Sequence, residues 1–366
     1  MQLIIQRESL LQPLQKISRI LNHKPLLPIV NNVLLKITNN KLCLTVTNLE
    51  IEIFTHILLT EQHTIGTSTV SAKKLLDICR YLPEKANINI SLINNRIFLS
   101  SGRSKFYLST LPVKSFPTLE DWNTKIEFSI QANIMKHLIE ATHFCMSYQD
   151  IRYYLNGLLL EIKDNFLYSV ATDGHRIAIC KMEIIKILPK SSVILPRKFI
   201  IELLRLLKED DSLLKIQIGT NNIRIHIKDY IFTSRLIDGT FPNYSHILHK
   251  NYDKIIVINR EILKQSFLRI SILCNYTLNE VHLYITKNEL KIITSNLSQE
   301  EGEEKLPISY EGDDIRINLN INYILDVLSV LKCDTIKISL LDSMSSIQIN
   351  DIDNDSTIYV IMPMKF

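Results

Sequence analysis

The segment VSAKKLLDICRYL, at residues 70–82, recurs twice further along the chain, as LPRKFIIELLRLL at 195–207 and as LNINYILDVLSVL at 319–331. The three segments align without a gap, and apolar residues match at four positions in each. Apolar residues spaced three and four apart predict an amphipathic helix. The offsets of 125 and then 124 residues indicate a unit that is repeated three times.

Two further sets of segments recur in the same order, which makes a chance match improbable for the set as a whole. A strand pattern followed by a helix pattern appears in MQLIIQRESLLQPLQKI from residue 1, IEFSIQANIMKHLIEA from residue 126 and KIIVINREILKQSFLRI from residue 254. Each unit ends on a strand pattern, in SKFYLSTLPVKSFPTL from residue 104, DYIFTSRLIDGTFPNY from residue 229 and DSTIYVIMPMKF from residue 355. We therefore predict an α+β chain of three modules, at 1–124, 125–248 and 249–366, each with two helices packed on antiparallel sheets.

Composition excludes several classes of protein. The eight glycines are never closer than ten residues to one another, whereas a phosphate-binding loop needs clustered glycines. Six cysteines lie far apart without a CxxC spacing, which is typical of reduced thiols in a cytoplasmic protein. Charged residues interrupt every apolar run well before the ~20 residues that a membrane helix needs. We expect no nucleotide cofactor, no metal and no membrane association.

Charge is unevenly distributed among the predicted modules. Their net charges are +6, +3 and −5 in chain order. The first module carries Arg103 and Lys105, and the third carries the acidic run EEGEE at 300–304. Opposite charges at the two ends favour head-to-tail contact between copies, which closes into a ring or continues as a filament. The alternative is that both segments are ordinary solvated loops.

Six stretches carry a resemblance to a known family. They are SGRSKFYLSTLP (101–112), YQDIRYYLNG (148–157), VATDGHRIAI (170–179), IGTNNIRIHI (218–227), LIDGTFPNY (236–244) and YVIMPMKF (359–366). The chain resembles the bacterial DNA polymerase III beta subunit, the sliding clamp, over its full length. TDGHR followed about 65 residues later by DGTFPNY, with MPM near the end, is a specific combination.

The resemblance implies a non-catalytic processivity factor. Three clamp modules per chain would each turn two pore-facing helices toward DNA, and a head-to-tail homodimer would form a pseudo-sixfold ring around the duplex. Binding to phosphates alone would let such a ring move along DNA without reading its sequence. The implied partners are duplex DNA, a clamp loader, DNA polymerase subunits and other proteins that carry a clamp-binding motif.

Residues that match the family's DNA contacts form a first predicted site. Lysines on the matched helices could equally be the solvated face of an amphipathic helix. Position 24 is a lysine where the family more often has arginine, so that contact would lose the bidentate fork. The adjacent tyrosines, if on a strand, would point to opposite faces. The predicted DNA contacts are Lys24, Lys73, Gln149, Tyr153, Tyr154 and Lys198.

A second predicted site is a hydrophobic pocket for short linear peptides between modules two and three. Methionines suit such a site, because flexible thioethers repack around different side chains. The residues that match the family's pocket, including its rim, are Arg152, Leu155, Thr172, Gly174, His175, Arg176, Ile177, Pro242, Ile247, Tyr323, Met344, Ser346, Val360, Met362, Pro363 and Met364, with Tyr154 also at the rim.

The third predicted site is the dimer seam, which the resemblance assigns to an apolar centre with charged edges. Apolar contacts would supply most of the binding energy, while charges guide association. The predicted seam residues are Lys74, Arg103, Lys105, Phe106 and Leu108 on one subunit, and Ile272, Leu273, Glu300, Glu301, Glu303 and Glu304 on the other.

Three other functions compete with this interpretation. Asp173 and His175 could belong to a hydrolase with Ser147 or Cys145 as nucleophile, although no nucleophile-elbow motif is present. The histidines at 137, 143, 175 and 226 lack ligand-like spacing for a metal. A sequence-specific DNA regulator would need a compact recognition helix, whereas the matched helices spread isolated charges over three modules.

Overall fold

A computed structural model describes residues 1–21, 27–119, 123–184, 187–207, 211–248, 252–275 and 278–364. Within these ranges the chain forms six α-helices and 25 strands, and neighbouring strands pair antiparallel. The predicted α+β class is therefore confirmed. So is the prediction of two helices per module.

Apart from the short strand β5 in the first, the elements follow the same order in each predicted module. The first contains β1 Gln2–Gln6, α1 Arg7–Ile17, β2 Asn32–Thr38, β3 Lys41–Thr47, β4 Ile51–Leu58, β5 His63–Thr64, β6 Gly66–Ser71, α2 Ala72–Tyr81, β7 Asn87–Ile93, β8 Arg96–Ser101 and β9 Ser104–Ser109. The second contains β10 Ile126–Gln131, α3 Ala132–Glu140, β11 Gly157–Lys163, β12 Phe166–Thr172, β13 Arg176–Glu183, β14 Ser191–Pro196, α4 Arg197–Leu206, β15 Leu213–Ile218, β16 Asn222–Ile227 and β17 Tyr230–Arg235. The third contains β18 Lys254–Asn259, α5 Arg260–Ser271, β19 Glu280–Thr286, β20 Glu289–Ser295, β21 Glu301–Pro307, β22 Ile315–Asn320, α6 Ile321–Val330, β23 Thr335–Leu340, β24 Ile347–Asp351 and β25 Thr357–Ile361.

Helix α2 shows why the matched segments become helices. Its buried residues, Ala72, Leu75, Leu76 and Cys79, are spaced three or four apart and so share one face. The hydroxyl of Ser71 accepts a hydrogen bond from the N–H of Lys74, which caps the first turn. Asparagine side chains cap α5 and α6 in the same way. Local spacing and capping together set where these helices begin.

Two eight-stranded sheets run across the predicted module boundaries. One has the order β10-β15-β16-β17-β4-β3-β2-β6, and the other has the order β14-β11-β12-β13-β25-β24-β23-β18. In the first sheet β17 pairs with β4, so that Ile51 lies opposite Ser234. In the second sheet β25 pairs with β13, so that Arg176 lies opposite Ile361. Each sheet therefore combines four strands from one predicted module with four from the next.

Two smaller sheets remain. The remaining strands of module one form the sheet β5-β1-β7-β8-β9, and the remaining strands of module three form the sheet β21-β20-β19-β22. β9 is at one edge of the first of these sheets, and β21 is at one edge of the second. Their outer backbone groups are consequently available for pairing.

Contacts divide the chain into two compact units. The first consists of Met1–Asn133 and Lys198–Leu236, and the second consists of Ile134–Arg197 and Ile237–Phe366. Each unit contains one eight-stranded sheet, which takes strands from two predicted modules. The module boundaries at 124/125 and 248/249 stay a prediction from the repeat.

Each unit has its own apolar core. In the first unit the rings of Phe199 on α4 and Phe232 on β17 stack at 4.6 Å between centroids, and both side chains are fully buried. In the second unit Tyr359 on β25 is buried among core residues of β13 and its neighbours. None of the helices in the described ranges is long and apolar enough to cross a membrane.

The stacked pair in the first unit gives a test of the sheet joint. Phe232→Ala should lower the free energy of unfolding of the first unit by about 3–5 kcal/mol, because it removes a fully buried ring and leaves a cavity. Denaturant unfolding measures this change. The control Tyr81→Ala, at a side chain that is 90% exposed, should change stability by less than ~0.5 kcal/mol. Equal effects would contradict the packing described for Phe232.

Candidate functional site

The pairing of β25 with β13 builds a pocket in the second unit. The pairing sets Ile177 opposite Val360, and both side chains are buried. Beyond β25 the chain continues in register, since the N–H of Met362 donates to the carbonyl of His175 at 2.9 Å. The resulting cavity has a volume of about 190 Å³. It is lined by Arg152, Tyr154, Leu155, Thr172, Gly174, His175, Arg176, Ile177, Phe241, Pro242, Tyr244, Ile247, Val360 and Met362.

A tight turn between β12 and β13 shapes one wall of the pocket. The Asp173 carboxylate accepts hydrogen bonds from the N–H groups of His175 and Arg176, at 2.9 and 3.0 Å. The Thr172 hydroxyl accepts one from Gly174 at 3.1 Å. Gly174 has φ +92°, and a Cβ there would lie 3.1 Å from the Arg152 guanidinium. The missing side chain thus gives Arg152 its place beside the pocket.

Two charged side chains are fixed at this wall. Arg152 forms a two-pronged hydrogen bond with Asp150, at 3.1 and 2.9 Å. Arg176 binds Asp173 at 2.9 Å and Asp326 at 2.6 Å. Its guanidinium also lies 4.3 Å from the centre of the Tyr323 ring. These pairings hold the polar edge of an otherwise apolar cavity.

The same contacts argue against the hydrolase alternative. The Asp173 carboxylate is committed to backbone N–H groups and to Arg176, which leaves it unable to orient His175. Cys145 is buried, and burial raises the pKa of its thiol, so a reactive thiolate is disfavoured. Across the described ranges, no group of three or more His, Cys, Asp or Glu side chains is placed to hold a metal ion.

Most of the predicted pocket residues come together. Eleven of the sixteen, and Tyr154 as well, line the cavity. Five described residues do not line it. Ser346 is buried, Met344 is 68% exposed, and the N–H of Met364 donates to the carbonyl of Asn318. Tyr323 contacts the lining residue Arg176 but does not line the cavity itself. Pro363 follows Met362 in the chain and is also outside the lining.

Two lining residues were missed by the sequence analysis. Phe241 and Tyr244 belong to the quoted FPNY stretch and pack against the apolar cluster beneath the pocket. The Tyr244 hydroxyl donates to the Glu161 carboxylate at 2.5 Å. Two aromatic residues that flank a predicted pocket proline were the available signal.

The predicted DNA contacts divide between the two units. Lys24 lies outside the described residues. In the first unit Lys73 is exposed on α2. Lys198 is half-buried there and donates to the carbonyl of Ile20 at 2.9 Å, and burial lowers its pKa. Lys198 is therefore a constrained cation and not a freely solvated lysine.

In the second unit the predicted DNA contacts share one segment. Gln149 has φ +58°, and Tyr153 and Tyr154 begin a short 3-10 helix, Tyr153–Asn156. The two rings meet edge to face at 6.0 Å between centroids. The two tyrosines therefore do not lie on a strand, and the opposite-face argument does not apply to them. Tyr153 is 58% exposed, while Tyr154 lines the pocket.

The predicted seam residues lie mainly on the two edge strands. Lys105, Phe106 and Leu108 lie on β9, and Glu301, Glu303 and Glu304 lie on β21, with Arg103 and Glu300 immediately before the respective strands. Lys74 is exposed on α2, and Ile272 is 71% exposed directly after α5, beside Leu273.

Contacts within the chain distinguish these seam residues from one another. Leu108 is only 9% exposed within the single chain, so its own subunit already covers most of it. Glu303 binds Lys291 at 2.7 Å, and Glu304 binds Arg269 at 2.7 Å. These carboxylates therefore already have cationic partners in the same chain.

A larger cavity, of about 320 Å³, lies along α1 in the first unit. Its lining mixes Glu8 and Asp229 with Lys16 and Lys228. The described residues of the three predicted sites do not line it. It therefore has no counterpart among the sites expected from the sequence.

Comparison with known proteins gives consistent results over the whole chain. Models of the N-terminal, central and C-terminal domains of the DNA polymerase III beta subunit match residues 1–120, 129–243 and 245–365. The beta sliding clamps of Salmonella typhimurium and Escherichia coli K12 are 49% and 48% identical to the chain, over 100% of both sequences.

Solved structures agree with these relatives. The DNA polymerase III subunit beta of Pseudomonas aeruginosa is 41% identical and superimposes with a TM-score of 0.97 over 100% of both chains. A sliding clamp from the same organism, bound to griselimycin, is 41% identical with a TM-score of 0.95 and the same full coverage. The chain therefore belongs to the family of bacterial DNA polymerase III beta subunits, the sliding clamps.

Proposed function

We propose that two copies of this chain close head to tail into a ring around duplex DNA and hold DNA polymerases to it. The observation that carries the proposal is that two of the three expected joints between modules are made within the chain, while the strands for the third joint remain at sheet edges. Two joints between modules are made inside the chain, by β17 with β4 and by β25 with β13. The strands that correspond to a third joint are β9 and β21, each an edge strand of one of the two smaller sheets.

The repeat gives the register of this third joint. Glu52, Ile177 and Glu301 hold equivalent positions in the three modules. Each of them pairs with the Thr or Ser that ends the preceding strand, just before the connecting turn. The joint partners of the first two are Thr233 and Val360. On β9 the position that corresponds to Thr233 is Tyr107, since both hairpins close through two residues. Glu301 of one subunit therefore pairs with Tyr107 of the other.

This register brings complementary side chains together. It sets Lys105 opposite Glu303 and Phe106 opposite Gly302. A Cβ at Gly302 would lie 3.3 Å from a Leu273 methyl, so the glycine lets Leu273 lie directly against the strand. Phe106 would cover that apolar surface, while the lysine and the carboxylate orient the approach.

Enclosure explains binding to DNA without sequence recognition. A closed ring stays on the duplex by topology, so side chains need only a weak, uniform attraction to phosphates. Lys73, Tyr153 and Gln149 are our proposed contacts, with Lys198 contributing charge from a constrained position. With no glycine-clustered phosphate loop in the sequence, opening the ring falls to an ATP-driven clamp loader. This role places the protein in the bacterial cytoplasm.

The pocket in the second unit is our proposed docking site for linear peptides of polymerase subunits and other partners. Its floor is apolar, and the half-exposed Arg152 side chain gives one wall a positive charge. The side chain of Met362 is 43% exposed at the mouth, where it can repack around different ligands. A related clamp is bound to griselimycin, which makes that compound a suitable probe.

Topological binding predicts a dependence on the form of the DNA. Protein loaded onto nicked circular DNA should remain through gel filtration, whereas cutting the circle once should release most of it. The fraction of protein that co-elutes with DNA measures this. Equal retention on circular and linear DNA would indicate ordinary site binding and contradict the ring.

The seam predicts a change of mass. Ile272→Ala with Leu273→Ala should shift the dimer toward monomer in analytical ultracentrifugation, because the apolar centre supplies most of the association energy. Ile262→Ala, at a side chain of α5 that is 56% exposed, is the matched control and should leave the mass unchanged.

The register can be tested by charge reversal at the same seam. Lys105→Glu should weaken the dimer by a few-fold, and adding Glu303→Lys should restore it. Failure of the second change to rescue the first would contradict the pairing of these two positions.

The pocket predicts a loss of ligand affinity. Ile247→Ala with Met362→Ala should weaken griselimycin binding at least tenfold, about 1.4 kcal/mol, because both side chains line the cavity. Isothermal titration calorimetry measures the affinity. Ile255→Ala, 47% exposed on β18, should bind as tightly as the parent protein. Undiminished affinity in the double variant would remove the pocket assignment.

A further inference from the structure

The first unit contains a turn with the hydrogen bonds of the pocket turn. The Asn48 side chain accepts hydrogen bonds from the N–H groups of Glu50 and Ile51, at 3.1 and 2.7 Å. The Thr47 hydroxyl accepts one from Leu49 at 3.1 Å. Thr172 and Asp173 make the corresponding bonds in the second unit. The two turns therefore share one backbone arrangement.

The strand joints beside these turns also correspond. Glu52 lies opposite Thr233 in the first unit, where Ile177 lies opposite Val360 in the second. The N–H of Arg235 donates to the carbonyl of Glu50 at 2.9 Å. In the second unit Met362 makes the same bond to His175, also at 2.9 Å. The turn and the adjoining strand joint, which together we call the frame of the pocket, thus occur twice in the chain.

The apolar surroundings are repeated as well. A 3-10 helix, Pro28–Asn31, precedes β2 as Tyr153–Asn156 precedes β11. Ile29, Val30 and Phe116 form a buried cluster in the first unit. They occupy the sequence positions of Tyr154, Leu155 and Phe241, which line the pocket.

The side chains at the floor differ in a way that closes the first copy. The Glu52 carboxylate replaces an isoleucine, and it accepts a hydrogen bond from the N–H of Leu119 at 3.1 Å. Leu119 holds the position of Tyr244, which lines the open pocket. The bond therefore ties Leu119, at the position of a wall residue, to Glu52 at the position of a floor residue. An apolar anchor would also have to displace this half-buried carboxylate, which is costly.

A second difference lies at the mouth. Leu49 has φ +79°, a backbone conformation that leucine rarely adopts and that glycine adopts without strain. In the second unit the matching residue is Gly174, whose missing side chain makes room for Arg152. Leu49 is 41% exposed, and its correspondence to Gly174 puts its side chain at the mouth of the first copy.

We infer that the joint between modules one and two is a closed second copy of the peptide pocket, shut by the Glu52–Leu119 hydrogen bond and by the Leu49 side chain. Its ligand class is that of the open pocket, a short apolar peptide. Each chain consequently offers partners one open site out of two equivalent frames. The inference rests on the proposed function of the open pocket.

Opening the first copy tests the inference. The triple variant Leu49→Gly, Glu52→Ile, Thr233→Val recreates the floor and mouth of the open pocket. Calorimetric titration with griselimycin should give two molecules bound per chain, against one for the parent protein. The matched control, Leu49→Gly, Glu52→Gln, Thr233→Val, keeps a polar floor and should bind one. A triple variant that is folded by circular dichroism and still binds one molecule would overturn the inference.

A second measurement does not depend on the triple variant folding. Glu52→Ala removes the acceptor for the Leu119 N–H, so exchange of that amide with solvent should accelerate at least tenfold. Glu50→Ala, at an exposed neighbour, should leave the exchange unchanged. An unchanged rate in Glu52→Ala would show that this bond does not hold the segment. If the parent protein binds no griselimycin, the proposed function of the open pocket is contradicted. If the parent protein and the triple variant each bind one molecule, only the inference of a closed second copy is contradicted.

Discussion

The hydrogen-bond ladders between β4 and β17 and between β13 and β25 are the constraint on which the other features depend. A slip of one residue in either ladder would turn every side chain to the opposite face of the sheet. The β13–β25 register sets Val360 against Ile177 and brings Met362 to His175, which creates the pocket. The same strand pairing therefore joins two modules and forms the ligand site.

An unpaired strand edge is a liability in a soluble protein, because it invites association with any other edge. Here the two edges carry opposite charge, with Lys105 on β9 and Glu301 and Glu303 on β21. Two β9 edges, or two β21 edges, would bring like charges together, whereas β9 with β21 would bring unlike charges together. In the ring that we propose, these charges would select the head-to-tail pairing, and the apolar residues near the edges would supply the association energy.

Local patterns were enough to predict much of this fold. Helices and end strands followed from periodicities that each segment carries by itself, as in α2 and β25. The order of strands within sheets did not follow, because it depends on pairing between residues far apart in the chain. That pairing also explains why the compact units cut through module two.

The site shows the same limit. Eleven predicted pocket residues line the cavity because the family motifs are continuous stretches whose positions carry over directly. Tyr323 is connected to the pocket only through its contact with Arg176, and Lys198 donates a hydrogen bond to the Ile20 carbonyl. Both contacts join residues more than a hundred positions apart, so no local pattern reports them.

The two equivalent frames separate what the backbone determines from what the side chains determine. Both turns keep their hydrogen bonds although one holds leucine and the other glycine at the left-handed position. Backbone ladders do not depend on side-chain identity, so substitutions at a few positions can change the surface without disturbing the joint. Gly174, Ile177 and Val360 make one frame receptive, and Leu49, Glu52 and Thr233 make the other unreceptive. A repeated architecture can therefore restrict binding to one place per chain through side chains alone.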